Sequence, residues 1–562
     1  MSSYPAAGRR VSVSADGGDL PAGVMIAVRA EDVVTPLKDG AVVTAGDRSA
    51  LVIAGTPEIR TGDAVVFLKV VLVTEAVVKK AGHVRAEGSP CAHATLGPLE
   101  DWLEEKAGPG VIDAIAETAV LDSRFVTGER ERLLTTAFMM RVIVLMTLVP
   151  QARASDAAAM LAGDLALVPW RRQWNVPSGR ACRDWRKALG PAPLEELRAA
   201  VLGAARGEHR DEAPPLTVGR DRPLVPHSWD GTLIRVPDTP RNRAAFGTVG
   251  TADGSSAWPC IRALPMSCCA TRSLLAMPWG PAGGKGKTAS EQGLLDAAIF
   301  RSPHVFAEGQ IWLADRLWPG VRRLKALAGL THFLVRVKSD IVLTRTSEIL
   351  PDQSYLAEVS GDGVTMTVRV IEYWAEVGEQ QAEELTCLVT DLLDWREYPA
   401  GDLAPLYRWR WDGSETGIRE GKATLHGAGP GTGAMLRSGS PDLIAQEIAA
   451  WACGTEMTRG VTRDAARAAA PARKGRRAGQ PVRYRDLSLT FSRRLSLAAI
   501  RTGHVSYDTL TSQIARHRTV VDRDRHRKRK SKSPSTFGHA GPGDTVTLIA
   551  PAVITLANKP AA

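Results

Sequence analysis

Between residues 227 and 337, short apolar runs of strand length recur between Gly, Pro and polar breaks, with one stretch of helical length among them. Asp230–Val236, Cys260–Leu264 and Thr271–Met277 read as strands, Ser290–Phe300 as a helix, and Gln310–Ala314 and His332–Val337 as two further strands. That alternation confines this part of the chain to an α/β sheet with helical cover. Ile341–Leu393 is rich in Val, Thr and Tyr; Thr365–Val377 and Leu385–Thr390 read as strands of an inserted β domain. A late helix falls within Leu403–Leu425, and Pro441–Cys453 is amphipathic and well started by Ser440 and Pro441.

At 562 residues the chain is too long for one ordinary core. Residues 1–95 are Val- and Gly-rich, with alternation at Gly23–Arg29 and Val65–Val73 that suggests short strands; they form an extension of unknown role. Residues 99–205 read as a helical, DNA-binding domain, with helices at Leu99–Lys106, Val111–Thr118, Glu129–Leu148, Ala154–Leu165 and Pro193–Leu202. The polar, Pro-rich segment 206–226 reads as a linker and 227–430 as an α/β domain, with its β insertion at about 341–393. Residues 431–510 are a C-terminal helical region, within which the Ala/Arg-rich Arg459–Val482 is expected to be partly disordered. Residues 511–562 are a basic, largely disordered tail.

The charge is lopsided. From Thr455 to Ala540, 21 Lys and Arg face 6 Asp and Glu, whereas the remainder holds 50 against 55. The basic excess therefore sits in one C-terminal stretch, as in an arm that binds phosphates. The seven cysteines include no CxxC pair, which speaks against a zinc site or a disulfide framework. No apolar run is long enough to span a bilayer, and the first residues lack the apolar core of a signal peptide, so a cytoplasmic protein without a membrane partner is expected.

Three acids stand where chemistry could be done. Asp230 and Asp315 lie at the ends of apolar runs, in HSWDGTLIRVPDTP and GQIWLADRLWPG, and Glu415 lies in YRWRWDGSETGIREGK. Glu415 and Lys422 are seven residues apart, which at about 100° per residue returns them to nearly the same helical face. Two strand-borne aspartates and a helix-borne glutamate can form an oxygen cage for paired divalent metals, and that points to phosphodiester chemistry on DNA. Each acid alone is more often a turn, cap or surface residue, and Tyr407, Trp409 and Trp411 are more often core than DNA-stacking. PAGGKGKT at Pro281–Thr288 is no phosphate-binding P-loop, because its first glycine position falls on Pro281 and no apolar strand leads directly into it.

The stretch from Tyr407 to Lys422 resembles the late helix of IS4-type transposases, whose signature runs Tyr, two residues, Arg, three residues, Glu, six residues, Lys. Here Tyr407, Arg410, Glu415 and Lys422 take those places, except that the middle gap holds four residues, Trp411 to Ser414. Gly413 is expected to absorb the extra residue just before the helix, with Ser414 as cap. The segments around Asp230 and Asp315 are similar to the family's first- and second-aspartate segments, although Leu317-Trp318 replaces the usual Gly-aromatic after Asp-Arg. Phe125–Leu202 resembles the helical N-terminal domain found ahead of the catalytic core.

The resemblance implies an RNase H-like core with a β-rich insertion behind a helical domain, and a DDE transposase that cleaves and joins strands. It further implies two Mg²⁺ (or Mn²⁺) ions on Asp230, Asp315 and Glu415, with Tyr407, Arg410 and Lys422 on DNA phosphates. Double-stranded DNA, as element ends and target, and a second copy in a homodimer are the expected partners. Trp374 or Tyr373 in the insertion could stack a flipped base. A catalytically decayed DNA-binding descendant and a nuclease that does not join strands are the alternatives.

Overall fold

A computed structural model of the chain describes residues 2–6, 9–13, 25–29, 42–45, 48–52, 58–59, 65–73, 94–122, 124, 134–149, 152–166, 176–211, 216–249, 258–283, 290–315, 320–338, 340–377, 380–381, 385–426, 435–471, 479, 481–502, 505–518, 529–530, 546–547 and 553–556. The chain divides into two compact units. One takes Met1–Leu197, Ala445–Gly454 and Phe491–Gln513, the other Arg198–Ile444, Thr455–Thr490 and Ile514–Ala562.

The first unit begins with a 7-stranded antiparallel sheet of β1 (Ser2–Ala6), β2 (Arg9–Val13), β3 (Met25–Arg29), β4 (Val42–Ala45), β5 (Arg48–Val52), β6 (Glu58–Ile59) and β7 (Val65–Val73). Helices α1 (Pro98–Ala107), α2 (Val111–Thr118), α3 (Thr136–Leu148), α4 (Ala154–Ala166) and α5 (Gly179–Leu189) follow. Helix α3 is buried from Ala137 to Leu148, as a helix apolar on all sides must be. Its one charge, Arg141, is tolerated there because Glu100 and Asp113 grip the guanidinium at 2.5 and 2.7 Å. Residues 129–133, which the sequence adds to α3, lie outside the described residues, and α5, capped by Ser178, was not anticipated.

Helix α6 (Ala192–Asp211) begins in the first unit, continues into the second from Arg198 and runs six residues into the expected linker. The strands of the second unit are β8 (Val225–Trp229), β9 (Thr232–Arg235), β10 (Thr248–Val249), β11 (Trp258–Ala263), β12 (Met266–Cys268), β13 (Leu274–Ala276), β14 (Trp279–Pro281), β15 (Gln310–Ala314), β16 (His332–Arg336), β17 (Thr344–Arg345), β18 (Tyr355–Gly361), β19 (Val364–Val377), β20 (Gln380–Gln381) and β21 (Thr386–Thr390). The main sheet has the order β13-β12-β8-β15-β16-β21-β19-β18-β17. Its centre, β8, β15 and β16, is parallel, and the flanks are antiparallel. The protein is therefore α/β with a large mixed sheet.

Strand β15 is buried along its whole length, so IWLA is a continuous apolar run and not an alternation. Trp312 and Ala314 join a core with α8 (Glu291–Arg301) and α9 (Val321–Ala328), while Ile311 and Leu313 join Leu403, Leu406 and Tyr407 on the opposite face.

Several expectations need correcting. The first strand of the main sheet is Val225–Trp229, and Asp230 follows it; Asp230–Val236 is not one strand, since Thr232–Arg235 pairs with β11 in a separate small sheet. Pro226, His227 and Ser228 hid β8 from a reading based on apolar runs. His227 and Ser228 are nevertheless fully buried, with His227 Nδ1 2.9 Å from the Val225 carbonyl and its ring stacked 5.0 Å from Trp312. The strands of 341–393 do not form a sheet of their own: β21 pairs with β16 and continues the main sheet. Arg459–Ala468, expected to lack order in part, continues helix α12, the helix Pro441–Ala468. Within the tail, Val553–Leu556 pairs antiparallel with Tyr373–Glu376 of β19.

Candidate active site

Strands β8 and β15 pair in parallel, with Val225 opposite Gln310 and Ser228 opposite Leu313. The same register carried onward sets Asp230 opposite Asp315, each the first residue beyond its strand. Neighbouring strands lie about 4.8 Å apart, and equal register on parallel strands means the same face. The two aspartates thus start from adjacent points at one end of the sheet.

The late helix runs beside them in three pieces. Ala400–Tyr407 is α-helical, Arg408 and Trp409 form a turn, and the helix resumes at Arg410. Asp412–Thr416 is a π-helical turn, and Gly417–His426 is α-helical again. The extra residue between Arg410 and Glu415 is therefore taken up inside a continuous helix. Ser414 is no cap: its hydroxyl donates to the Arg410 carbonyl at 2.7 Å, one turn back.

The Tyr407 hydroxyl donates to the Ala314 carbonyl at 3.0 Å, fastening the helix to the residue just before Asp315. Burial pushes the Tyr407 phenol up, with Arg410 opposing and Asp315 adding, so it is a neutral donor at any ordinary pH. Arg410 is buried, with Nη1 3.9 Å from the Asp230 carboxylate and its guanidinium 5.0 Å from the Trp411 ring centre. Lys422 also lies in the field of Asp230. Burial lowers its ammonium below the usual lysine value, and Asp230 acts in the opposite direction. Two cations from separate turns of one helix thus address the same carboxylate. Position 415 falls within the π turn between them, and its side chain lies outside the described residues. Among the described side chains no group of three His, Cys, Asp or Glu is placed to hold a metal.

Features unforeseen in the sequence hold this helix in place. Gly413 packs directly on the sheet: a Cβ there would run into Ser228 Oγ and lie 2.8 Å from Cys269 Sγ. Ser228 Oγ reaches the Arg410 carbonyl at 3.4 Å. Arg459, almost fully buried on α12, donates to the Gly417 carbonyl at 2.7 Å and to the Arg272 carbonyl at 3.0 Å. Arg272 ion-pairs with Glu420 one turn along the helix. Behind it, Arg463 bridges Glu208 at 2.6 Å and Glu456 at 2.7 Å, and Glu456 accepts from the Leu274 amide at 2.7 Å. The Ala/Arg-rich composition of this part of α12 concealed these residues, because a buried arginine and a solvated one are the same letter. Tyr373, one of the two aromatics offered for base stacking, is buried, and Trp374 is half-buried.

Residues 110–199 match the family described as "Insertion element 4 transposase N-terminal", in agreement with the resemblance drawn from Phe125–Leu202. No curated protein matches the chain. Among solved structures, the chain is similar to one titled "Cryo-EM structure of piggyBac transposase synaptic complex with hairpin DNA", at 12% identity, a TM-score of 0.38, and coverage of 76% of this chain and 82% of that one. Among the described residues no helix is long and apolar enough to cross a membrane.

Proposed function

We propose that this chain is the transposase of an insertion sequence, which binds the element's ends as duplex DNA and cleaves and joins strands by a DDE mechanism. The observation that carries the reading is the register of β8 and β15, which brings Asp230 and Asp315 together beside Arg410 and Lys422. The order of three strands, helix, strand and late helix supports an RNase H-like reading of the core, its three strands now being β8, β12 and β13.

The donor set fits a pair of hard divalent ions. Two carboxylates start from adjacent points on one face, and a third acid follows on the helix that Tyr407 fastens beside them. Asp230, Asp315 and Glu415 would hold two Mg²⁺ or Mn²⁺ ions, which when bound supply activation of the attacking oxygen and charge neutralisation at the leaving oxygen. The chain's own groups do the positioning. Arg410 offers a planar fork and Lys422 a point charge to the phosphates flanking the scissile bond. Tyr407 keeps the Asp315 strand end from shifting against the helix. The nucleophile is water for cleavage and the freed 3′-OH for joining, displacing in line and leaving the phosphodiester count unchanged in the joining step. Two ends handled together call for a second copy, hence a homodimer on DNA.

The test is nicking of a labelled duplex carrying the DNA that flanks the coding sequence, with Mg²⁺ or with EDTA. Metal-dependent nicks at the element boundary are expected from the wild type and not from Asp315→Ala. Tight binding without any nick by the wild type would replace this reading with that of a DNA-binding descendant.

A further inference from the structure

Arg410 lies 3.9 Å from Asp230, and Lys422, twelve residues on along the same helix, lies in the field of that carboxylate. In an unbroken α-helix twelve residues turn through about 1,200°, leaving the two side chains about a third of a turn apart. A π turn closes i→i+5 and so spends one more residue on the same revolution. With one residue absorbed this way, the remaining eleven return to within about 20° of three full turns. We infer that the π turn over Asp412–Thr416 is a positioning device, which keeps Arg410, position 415 and Lys422 on the single helical face that meets Asp230.

The surroundings are built for that turn. Arg410's carbonyl, where the helical ladder changes register, receives the hydroxyls of Ser414 at 2.7 Å and Ser228 at 3.4 Å. Gly413 alone permits the close approach to Ser228 and Cys269, since any side chain there meets both. At the far end Arg459 binds the Gly417 carbonyl, fixing the residue at which α geometry returns. A π turn is rare in helices, and these three supports, from β8, from the glycine and from α12, make it the favoured local form here.

The inference rests on the DDE reading of Glu415, and one experiment separates them. Deleting Ser414 removes the surplus residue, leaves Gly413 three places after Arg410, and returns the helix to α geometry with Arg410 and Lys422 eleven apart. This deletion should nick the flanking-DNA duplex within about tenfold of wild type, at a similar Mg²⁺ concentration for half-maximal rate. Inserting one alanine after Ser414 should lower nicking at least a hundredfold while DNA binding falls no more than a few-fold. A deletion variant that has wild-type circular dichroism and DNA binding but does not nick would overturn the inference, as would an insertion variant that nicks normally. Glu415→Ala is the control. If it nicks like wild type the DDE reading falls; if it is inactive and the deletion is inactive too, only the π-turn inference falls. Should the deletion fail to fold, Gly413→Ala decides. It should lower nicking at least tenfold and raise the Mg²⁺ concentration for half-maximal rate while circular dichroism stays at the wild-type level. Nicking and Mg²⁺ requirement both unchanged would refute a positional role.

Discussion

Replacing Arg463 by methionine should destabilise the protein in a way that depends steeply on pH. The guanidinium is buried and bridges Glu208 and Glu456 at 2.6 and 2.7 Å; methionine fills much of its stem volume and supplies none of its charge. Glu208 retains Arg467 at 2.9 Å. In the wild type, burial raises the Glu208 carboxyl, but Arg463 and Arg467 outweigh it and bring the group down to about 2 from 4.5. Its stabilising contribution is present above the ordinary 4.5 and is lost as the pH falls through about 2. That shift corresponds to about 3 kcal/mol at neutral pH, of which Arg463, the larger opposing influence, carries more than half.

Glu456 behaves in the opposite sense. Burial holds its carboxyl above the usual value of 4.5 even with Arg463 and Arg459 beside it. Without Arg463 burial drives it further up, and it takes up a proton at a cost that is larger at pH 7 than at pH 5. Breaking the buried pair should therefore cost about 3–5 kcal/mol at pH 7, as is usual when one partner of such a pair is removed, and less at pH 5, where Glu456 takes up its proton at smaller cost. Urea unfolding of wild type and Arg463→Met at both pH values measures this directly. A loss under 1 kcal/mol at pH 7, or an equal loss at pH 5, would refute the reasoning.

Asp230→Ala, Asp315→Ala and Glu415→Ala should each abolish nicking while leaving binding of the flanking-DNA duplex within a few-fold; near wild-type nicking by any one removes that acid from the site. Tyr407→Phe should cost about 1 kcal/mol of stability through loss of the bond to the Ala314 carbonyl, with nicking lowered by no more than about tenfold; a thousandfold loss would mean that the phenol touches the reacting groups. Lys422 has its pKa lowered by burial, so without DNA its charge is lost at a lower pH than the usual 10.5, and a phosphate beside it restores the proton. DNA affinity should therefore fall on the alkaline side in the wild type and more shallowly in Lys422→Arg, whose guanidinium stays charged; equal slopes would take Lys422 off the phosphates. Removing residues 519–562 should weaken DNA binding and flatten its dependence on salt, and an unchanged salt slope would make the basic stretch a bystander.

What the sequence disclosed and what it concealed follow one physical division. Strand β15 was readable to the residue, because a central parallel strand buried on both faces leaves the unmixed run QIWLA. Its neighbour β8 carries VPHSW in an equally buried place, and nothing in those letters declares a strand. Pairing rescues it: His227 stacks on Trp312 and Ser228 reaches across to the Arg410 carbonyl, partners that sit 85 and 182 residues away. Asp230, Asp315 and Glu415 could be picked out as candidates because chemistry restricts residue type, and the register of the two aspartates could not, because it depends on where β8 starts. The π turn shows the same division more sharply. A surplus residue before Glu415 can be counted in the sequence, and a glycine beside it suggests a loop. Only the sheet at van der Waals distance from Gly413 and the α12 arginine on the Gly417 carbonyl decide that the surplus is wound into the helix. Local sequence thus offers the candidate groups, and contacts distant in sequence set the phase in which the helix presents them.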